Sequence, residues 1–250
     1  MQNFVELKYP EIFEIYNEAY SFYESQIHSI RILEADNIDQ SIFKQIVLQF
    51  SVIAKQDLES IFILFQNKQF YTPQLILRSL IEFVITLGYV EKDPEKYSRQ
   101  YVFQGIRANI KLFNTLRNSK EILFDVSYDN KLNELETEKT NYVTDINEWP
   151  VSLECRAKET KLESFYFAYR YLSMLAHPNP NNAKYFFKDE PDKILFYDFS
   201  EDTTFRTLLV ALLLTNVLMS KVNEAFCLKE SEKYEEIENK IKNFFGKSHN

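Results

Sequence analysis

Arg170, Ser173 and His177 fall within the run Tyr169-Arg170-Tyr171-Leu172-Ser173-Met174-Leu175-Ala176-His177-Pro178. At about 100° per residue, a helix brings these three to nearly the same side of its cylinder, with Tyr166 one turn earlier. Arginine and histidine aligned in this way suit acid–base work on a phosphate ester. The imidazole gives or takes the proton, and the guanidinium neutralises the charge that builds on phosphorus-bound oxygen. Pro178 disfavours helical backbone at His177, which puts the imidazole at the C-terminal end of the helix. Unpaired carbonyls there favour its protonated form. The structural alternative is that Arg170 pairs with an acidic neighbour and His177 caps the helix end. Ser173 lacks the Ser–His–Asp setting of a nucleophile, and its step to His177 marks a hydrogen bond.

Arg78 and Glu82 form a second pair, one turn apart within Leu75-Ile76-Leu77-Arg78-Ser79-Leu80-Ile81-Glu82-Phe83. An intrahelical ion pair is the simple reading. The apolar surroundings predict that both charges are at least partly buried, where each needs a partner. Glu82 orienting His177 or Arg170, with Arg78 facing the same cavity, is one arrangement; a structural network is another. A hydrolase using Glu82 as base is a third reading, resting on the apolar setting of that carboxylate.

Helices must hold these side chains. Only 3 of 250 residues are glycine, at Gly88, Gly105 and Gly246, so the tight turns of a β-rich fold are hard to supply. The spacing predicts helices from Pro10 to about Leu33, from an Asp39 cap through Phe43 to Phe65, from a Thr72 cap with Pro73 at the first position, and from Asp93-Pro94 to about Asn118. A charged, exposed helix follows over 131–148 and breaks at Trp149-Pro150. Further helices span Ser152 to Lys158 and Glu159 to Ala176, the latter turning Phe165, Ala168, Leu172, Leu175 and Ala176 to the core. Tyr185-Phe186-Phe187 and Ile194-Leu195-Phe196-Tyr197, with Lys188 to Lys193 between them, predict a small hairpin. Thr203 or Thr204 caps a helix apolar nearly all round, and a charged amphipathic helix runs from Glu230 to Phe245. The expected fold class is all-α, a helical bundle in one domain over 1–250 with a small irregular or hairpin insertion near 184–197.

Composition narrows the chemistry. Hydrophobic residues make up 45%, with 22 Phe and 16 Tyr, which supplies a bulky aromatic core. A net charge of −8 and a pI near 5.1 argue against general adhesion to DNA or RNA, and leave room only for a local basic pocket. No phosphate-binding glycine loop is present. Cys155 and Cys227 have no metal or redox spacing, and no Cys–His cluster or paired Glu-x-x-His occurs, so neither a metal nor a cofactor is expected. The first residues are charged, and the uncharged stretch between Arg206 and Lys221 is short for a bilayer span. A cytoplasmic protein without a membrane partner is the expectation.

The segment from Trp149-Pro150 through Cys155-Arg156-Ala157-Lys158, Tyr166 and Tyr169-Arg170-Tyr171-Leu172-Ser173 to His177-Pro178 resembles the bacterial DUF5677 family of unknown function. Leu77-Arg78-Ser79-Leu80-Ile81-Glu82 is similar to the arginine-to-glutamate helix of the same proteins. That family looks related to HEPN-type helical domains, which implies a core over roughly 38–228. Ribonucleases of that type carry an Arg and a His separated by a short spacer, here the six residues between Arg170 and His177. The resemblance implies metal-independent RNA cleavage of a defence or toxin type. His177 would move the proton at the ribose 2′-OH or leaving oxygen, and Arg170 would stabilise the pentavalent phosphate. Arg78, Glu82, Ser173 and Tyr166 would support them, and a homodimer would bring two such stripes to one groove. The position after Arg170 is Tyr171, where such nucleases often carry a polar residue. Lys184, Lys188 and Arg156 are the nearby cations for an RNA track. The competing expectation is a non-catalytic binding or scaffold module in which the same Arg, Glu and His residues form a structural polar network.

Overall fold

A computed structural model of the chain describes residues 4–34, 42–118, 128–142, 152–176, 187–190, 193–196 and 201–247. In chain order these form α1 (Phe4–Lys8), α2 (Pro10–Glu34), α3 (Ile42–Gln66), α4 (Thr72–Val90), α5 (Pro94–Asn118), α6 (Tyr128–Thr140), α7 (Leu153–Thr160), α8 (Glu163–Ala176), β1 (Phe187–Glu190), β2 (Lys193–Phe196), α9 (Glu201–Phe226) and α10 (Ser231–Lys247). The fold class is an all-α bundle carrying one two-stranded antiparallel hairpin. The Asp39 cap, the 143–150 segment with Trp149-Pro150, and His177 lie outside the described residues.

The apolar repeat of α3 and the nearly all-round apolar surface of α9 are met by packing these two helices on each other and both on α4. Leu58, Ile61, Leu80, Leu208 and Leu212 are fully buried there. Polar groups in this core find partners, as burial demands. The Ser51 hydroxyl donates to the Leu218 carbonyl across 3.0 Å. Tyr23 Oη donates to Asn216 Oδ1 at 2.8 Å, and Asn216 Nδ2 donates to the Tyr234 carbonyl at 3.0 Å, which stitches α2, α9 and α10 together. Helix α5 packs on α3 and α4, and α6 packs on α5.

By length and composition α4 and α9 could each cross a bilayer, because the continuous helix α9 runs well beyond Arg206 and Lys221 at both ends. The shortness of the uncharged stretch therefore does not exclude a span. In this fold 61% and 67% of their most apolar windows are buried against other helices, so both serve as core helices here.

Several boundaries differ from the sequence expectations. Tyr71, not Thr72, is the residue before α4, and it provides no side-chain cap. Neither Thr203 nor Thr204 caps α9, which begins at Glu201. The Glu201 carboxylate stabilises that first turn while accepting from Tyr9 Oη and pairing with Lys8, each at 2.5 Å. Thr204 is buried and donates to the Phe70 carbonyl at 3.1 Å. The single helix expected from Glu159 is broken at Lys161, whose left-handed φ of 60° ends α7. The Leu162 N–H then donates to the Ala157 carbonyl at 2.8 Å. In the hairpin, pairing runs from Phe187 opposite Phe196 to Glu190 opposite Lys193, so most of the polar stretch expected as connection belongs to the strands.

Candidate functional site

Helices α4, α7 and α8 pack mutually, and the candidate residues divide among three places around that junction. The first lies between α4 and α8. Arg78 turns away from its own helix and donates from Nε to Ser173 Oγ and from Nη2 to Tyr169 Oη, both at 2.8 Å. Its guanidinium also lies 4.8 Å from the centre of the Tyr169 ring, within cation–π range. Among the described residues no ion pair joins Arg78 to Glu82; the Arg78 guanidinium reaches across the interface to α8 instead.

The second place is deeper, between α4 and α7. Arg156 is only 9% exposed and donates from Nη1 to Thr86 Oγ1 at 2.7 Å. Burial pulls this guanidinium below its ordinary range, and the negative charge of Glu82 opposes that. Burial also pushes the nearby Tyr101 hydroxyl up; the Arg156 charge counteracts this and Glu82 adds to it. The negative charge of Glu82 thus favours the charged form of Arg156 across the α4–α7 interface. Arg156 is one of the three cations expected to supply an RNA track, and its burial removes it from that role. Lys184 lies outside the described residues, and the Lys188 side chain is not described.

The third place is the outer side of α8. Arg170 is exposed. Tyr166 donates to Glu154 Oε2 at 3.3 Å, so it belongs here and not with Arg78. A hydrogen bond and charge from Lys158 hold the Glu154 carboxyl below the usual carboxylate range, with a smaller contribution from Arg170. Burial pushes Tyr166 up, Glu154 adds to that, and Arg170 pulls the other way. Arg170 therefore has an acidic neighbour in Glu154, and no hydrogen bond or ion pair joins it to another of the described residues. His177 cannot be placed beside it, as it lies outside the described residues. The end of α8 is held by Tyr71, whose hydroxyl donates to the Leu175 carbonyl at 2.8 Å.

An apolar stripe runs beside Arg170. Phe167, Tyr171 and Met174 are 68%, 51% and 45% exposed and recur at four- and three-residue steps. Of the face expected to be buried, Leu172 and Leu175 are, but Ala168 is exposed. Helix α8 is apolar on two sides, and only one of them meets the core. Among the described residues, no three His, Cys, Asp or Glu side chains gather where they could hold a metal ion.

Sequence reasoning did not single out Tyr169, Thr86 or Tyr71. Tyr169 sits one turn before Ser173, and that spacing was the available signal. Thr86 and Tyr71 gave none, because their partners are distant in sequence.

A model of the DUF5677 family, described as a family of unknown function, matches residues 44–194. The chain belongs to this family. No curated protein and no solved structure matches it. The DUF5677 match runs from α3 to β2, so it takes in Arg78, Glu82, Arg156, Arg170 and Ser173. Helix α9, which forms one wall of the core under them, follows the matched span.

Proposed function

We propose that this DUF5677 protein is a HEPN-like, metal-independent ribonuclease that works as a homodimer, with Arg170 as the phosphate-binding group and His177 as the acid–base group. The observation that carries this reading is the separation of Arg170 from the structural polar cluster. Arg78 and Arg156 are bonded into the interfaces of α8 and α7 with α4, whereas Arg170 is exposed. A guanidinium left on the surface in this way can take a scissile phosphate and stabilise the charge that develops on it. The 2′-OH of the same nucleotide is the nucleophile. His177 removes its proton and returns one to the leaving 5′-oxygen, giving a cyclic phosphate and a free 5′-OH.

The Phe167, Tyr171 and Met174 stripe lies beside Arg170 on α8, about 40° to 100° round the helix from it. A second copy is its proposed occupant. An isologous contact sets each stripe against its twin and brings the two Arg170 side chains to one groove, each able to meet the other copy's Glu154.

The test is cleavage of labelled single-stranded RNA by purified full-length protein in the presence of a chelator. Arg170→Ala and His177→Ala should abolish cleavage with the melting temperature unchanged, and Tyr171→Glu should convert a dimer to a monomer in sedimentation. Intact RNA under all conditions would remove the nuclease reading. The alternative, a non-catalytic module, is favoured by one observation, the Arg78–Ser173–Tyr169 bonding. It predicts instead that Arg170→Ala weakens capture of a protein partner and leaves RNA untouched.

A further inference from the structure

Helices α5 and α6 enclose an open groove of about 410 Å³, large enough to take one nucleotide. Its cations are Arg107 and Lys111 from α5 and Lys139 from α6. No carboxylate is among its described lining residues, although the chain as a whole carries a net charge of −8. The neighbouring cations on these helices are occupied: Arg117 with Asp129 at 3.3 Å, Lys131 with Glu134 at 2.8 Å, and Lys139 itself with Glu136 at 2.9 Å. Arg107 and Lys111 have no ion-pair partner among the described residues. They stand one turn apart, and like charges at that spacing repel, by a few tenths of a kcal/mol on a helix. An anion seated between them would relieve the repulsion.

The rest of the lining suits the remainder of a nucleotide. Asn114 Oδ1 already accepts from Arg117 Nη2 at 3.1 Å, which leaves its amide N–H groups as donors. Asn118 adds a second amide at the next turn, and Ile110 gives an apolar wall. The Arg107 guanidinium is held over the Phe103 ring at 5.9 Å, which limits its freedom before any ligand arrives.

We infer that the groove between α5 and α6 is a nucleotide-phosphate site, formed by Arg107 and Lys111 with Lys139 opposite, and taking either a free nucleotide or a phosphate link of an RNA strand. The inference does not require that the protein cleave RNA. It also answers where an acidic chain keeps a basic track, since Arg156 is buried.

Binding of adenosine monophosphate and of a short oligouridylate is measured by calorimetry on full-length protein, in the wild type and in Arg170→Ala. The second background keeps the probe intact if the chain is a nuclease. Arg107→Ala with Lys111→Ala should weaken binding by about tenfold or more, since charge-assisted bonds are lost. For the oligouridylate, the slope of log affinity against log salt should fall by about 1.4, roughly 0.7 per phosphate contact on a single strand. Loss of adenosine monophosphate binding assigns a free nucleotide; loss confined to the oligouridylate assigns an RNA strand. A control pair, Arg206→Ala with Lys242→Ala, changes the net charge equally and should leave affinity within about twofold of wild type. The inference is overturned if wild type binds neither probe, if the groove variant binds as wild type does, or if the control pair weakens binding equally. Cleavage without groove binding, or groove binding without cleavage, separates this site from the activity proposed above.

Discussion

Three arginines near one junction illustrate how placement sets the work of a residue type. Arg78 makes two hydrogen bonds and a ring contact across α4 and α8, Arg156 is buried on Thr86, and Arg170 is exposed. Truncating Ser173 to alanine removes one acceptor of a charged donor and should cost about 1–2 kcal/mol. Arg78→Ala also leaves Tyr169 without its donor and should cost about 2–3 kcal/mol in urea unfolding. The double variant should cost less than the two effects summed, because both remove the same bond. An Arg78→Ala midpoint equal to wild type would show that this cluster holds nothing together. Arg170→Ala, which breaks no hydrogen bond or ion pair among the described residues, should stay within about 0.5 kcal/mol of wild type.

The clearest element-scale test lies in α5. Gly105 sits in the middle of that helix, exposed, and a Cβ added there meets nothing within 4 Å. Glycine inside a helix gives up more backbone entropy than alanine. Gly105→Ala should therefore stabilise the chain by about 0.5–1 kcal/mol, read as a raised melting temperature. No gain would mean that α5 is already loosened there in the native state. Helix α8 makes a different point. Its periodicity locates the Leu172 and Leu175 side correctly but gives no sign of a second apolar side that stays exposed. The order of helices in space leaves Phe167, Tyr171 and Met174 outside.

At the scale of the whole molecule, acid should loosen the seam between α2 and α10. Burial pushes the Glu18 carboxyl up, but hydrogen bonds from Lys233 and Lys240 hold it below its ordinary value. Lys240, then Lys233, hold the Glu236 carboxyl down at about 2. Carboxyls depressed in the folded state bind fewer protons there than in the unfolded chain. Their stabilisation is thus present above the ordinary carboxylate range and lost as pH falls through it toward about 2. Asp57 and Glu91 act in the opposite sense, since burial raises both and their ionised forms weaken the fold at neutral pH. Lys240→Met should flatten the acid limb of an unfolding-against-pH curve. An unchanged limb would place the acid sensitivity elsewhere.

Local chemistry determined much of this protein from its sequence. Scarce glycine and three- and four-residue apolar steps specify the helices, because helix formation and one-sided burial act over a few residues. The same local order marked Arg78, Glu82, Arg170 and Ser173 and carried the resemblance to DUF5677. Only the tertiary structure decided which of them meet. Arg78 reaches Ser173 and not Glu82, Arg156 reaches Thr86, and Tyr71 holds the end of α8. Each choice follows from which helices lie side by side, and that is set by packing the whole core of α3, α4 and α9 at once. A long side chain bonds to whatever that packing brings within reach, so its partner is not written in its own neighbourhood of the chain.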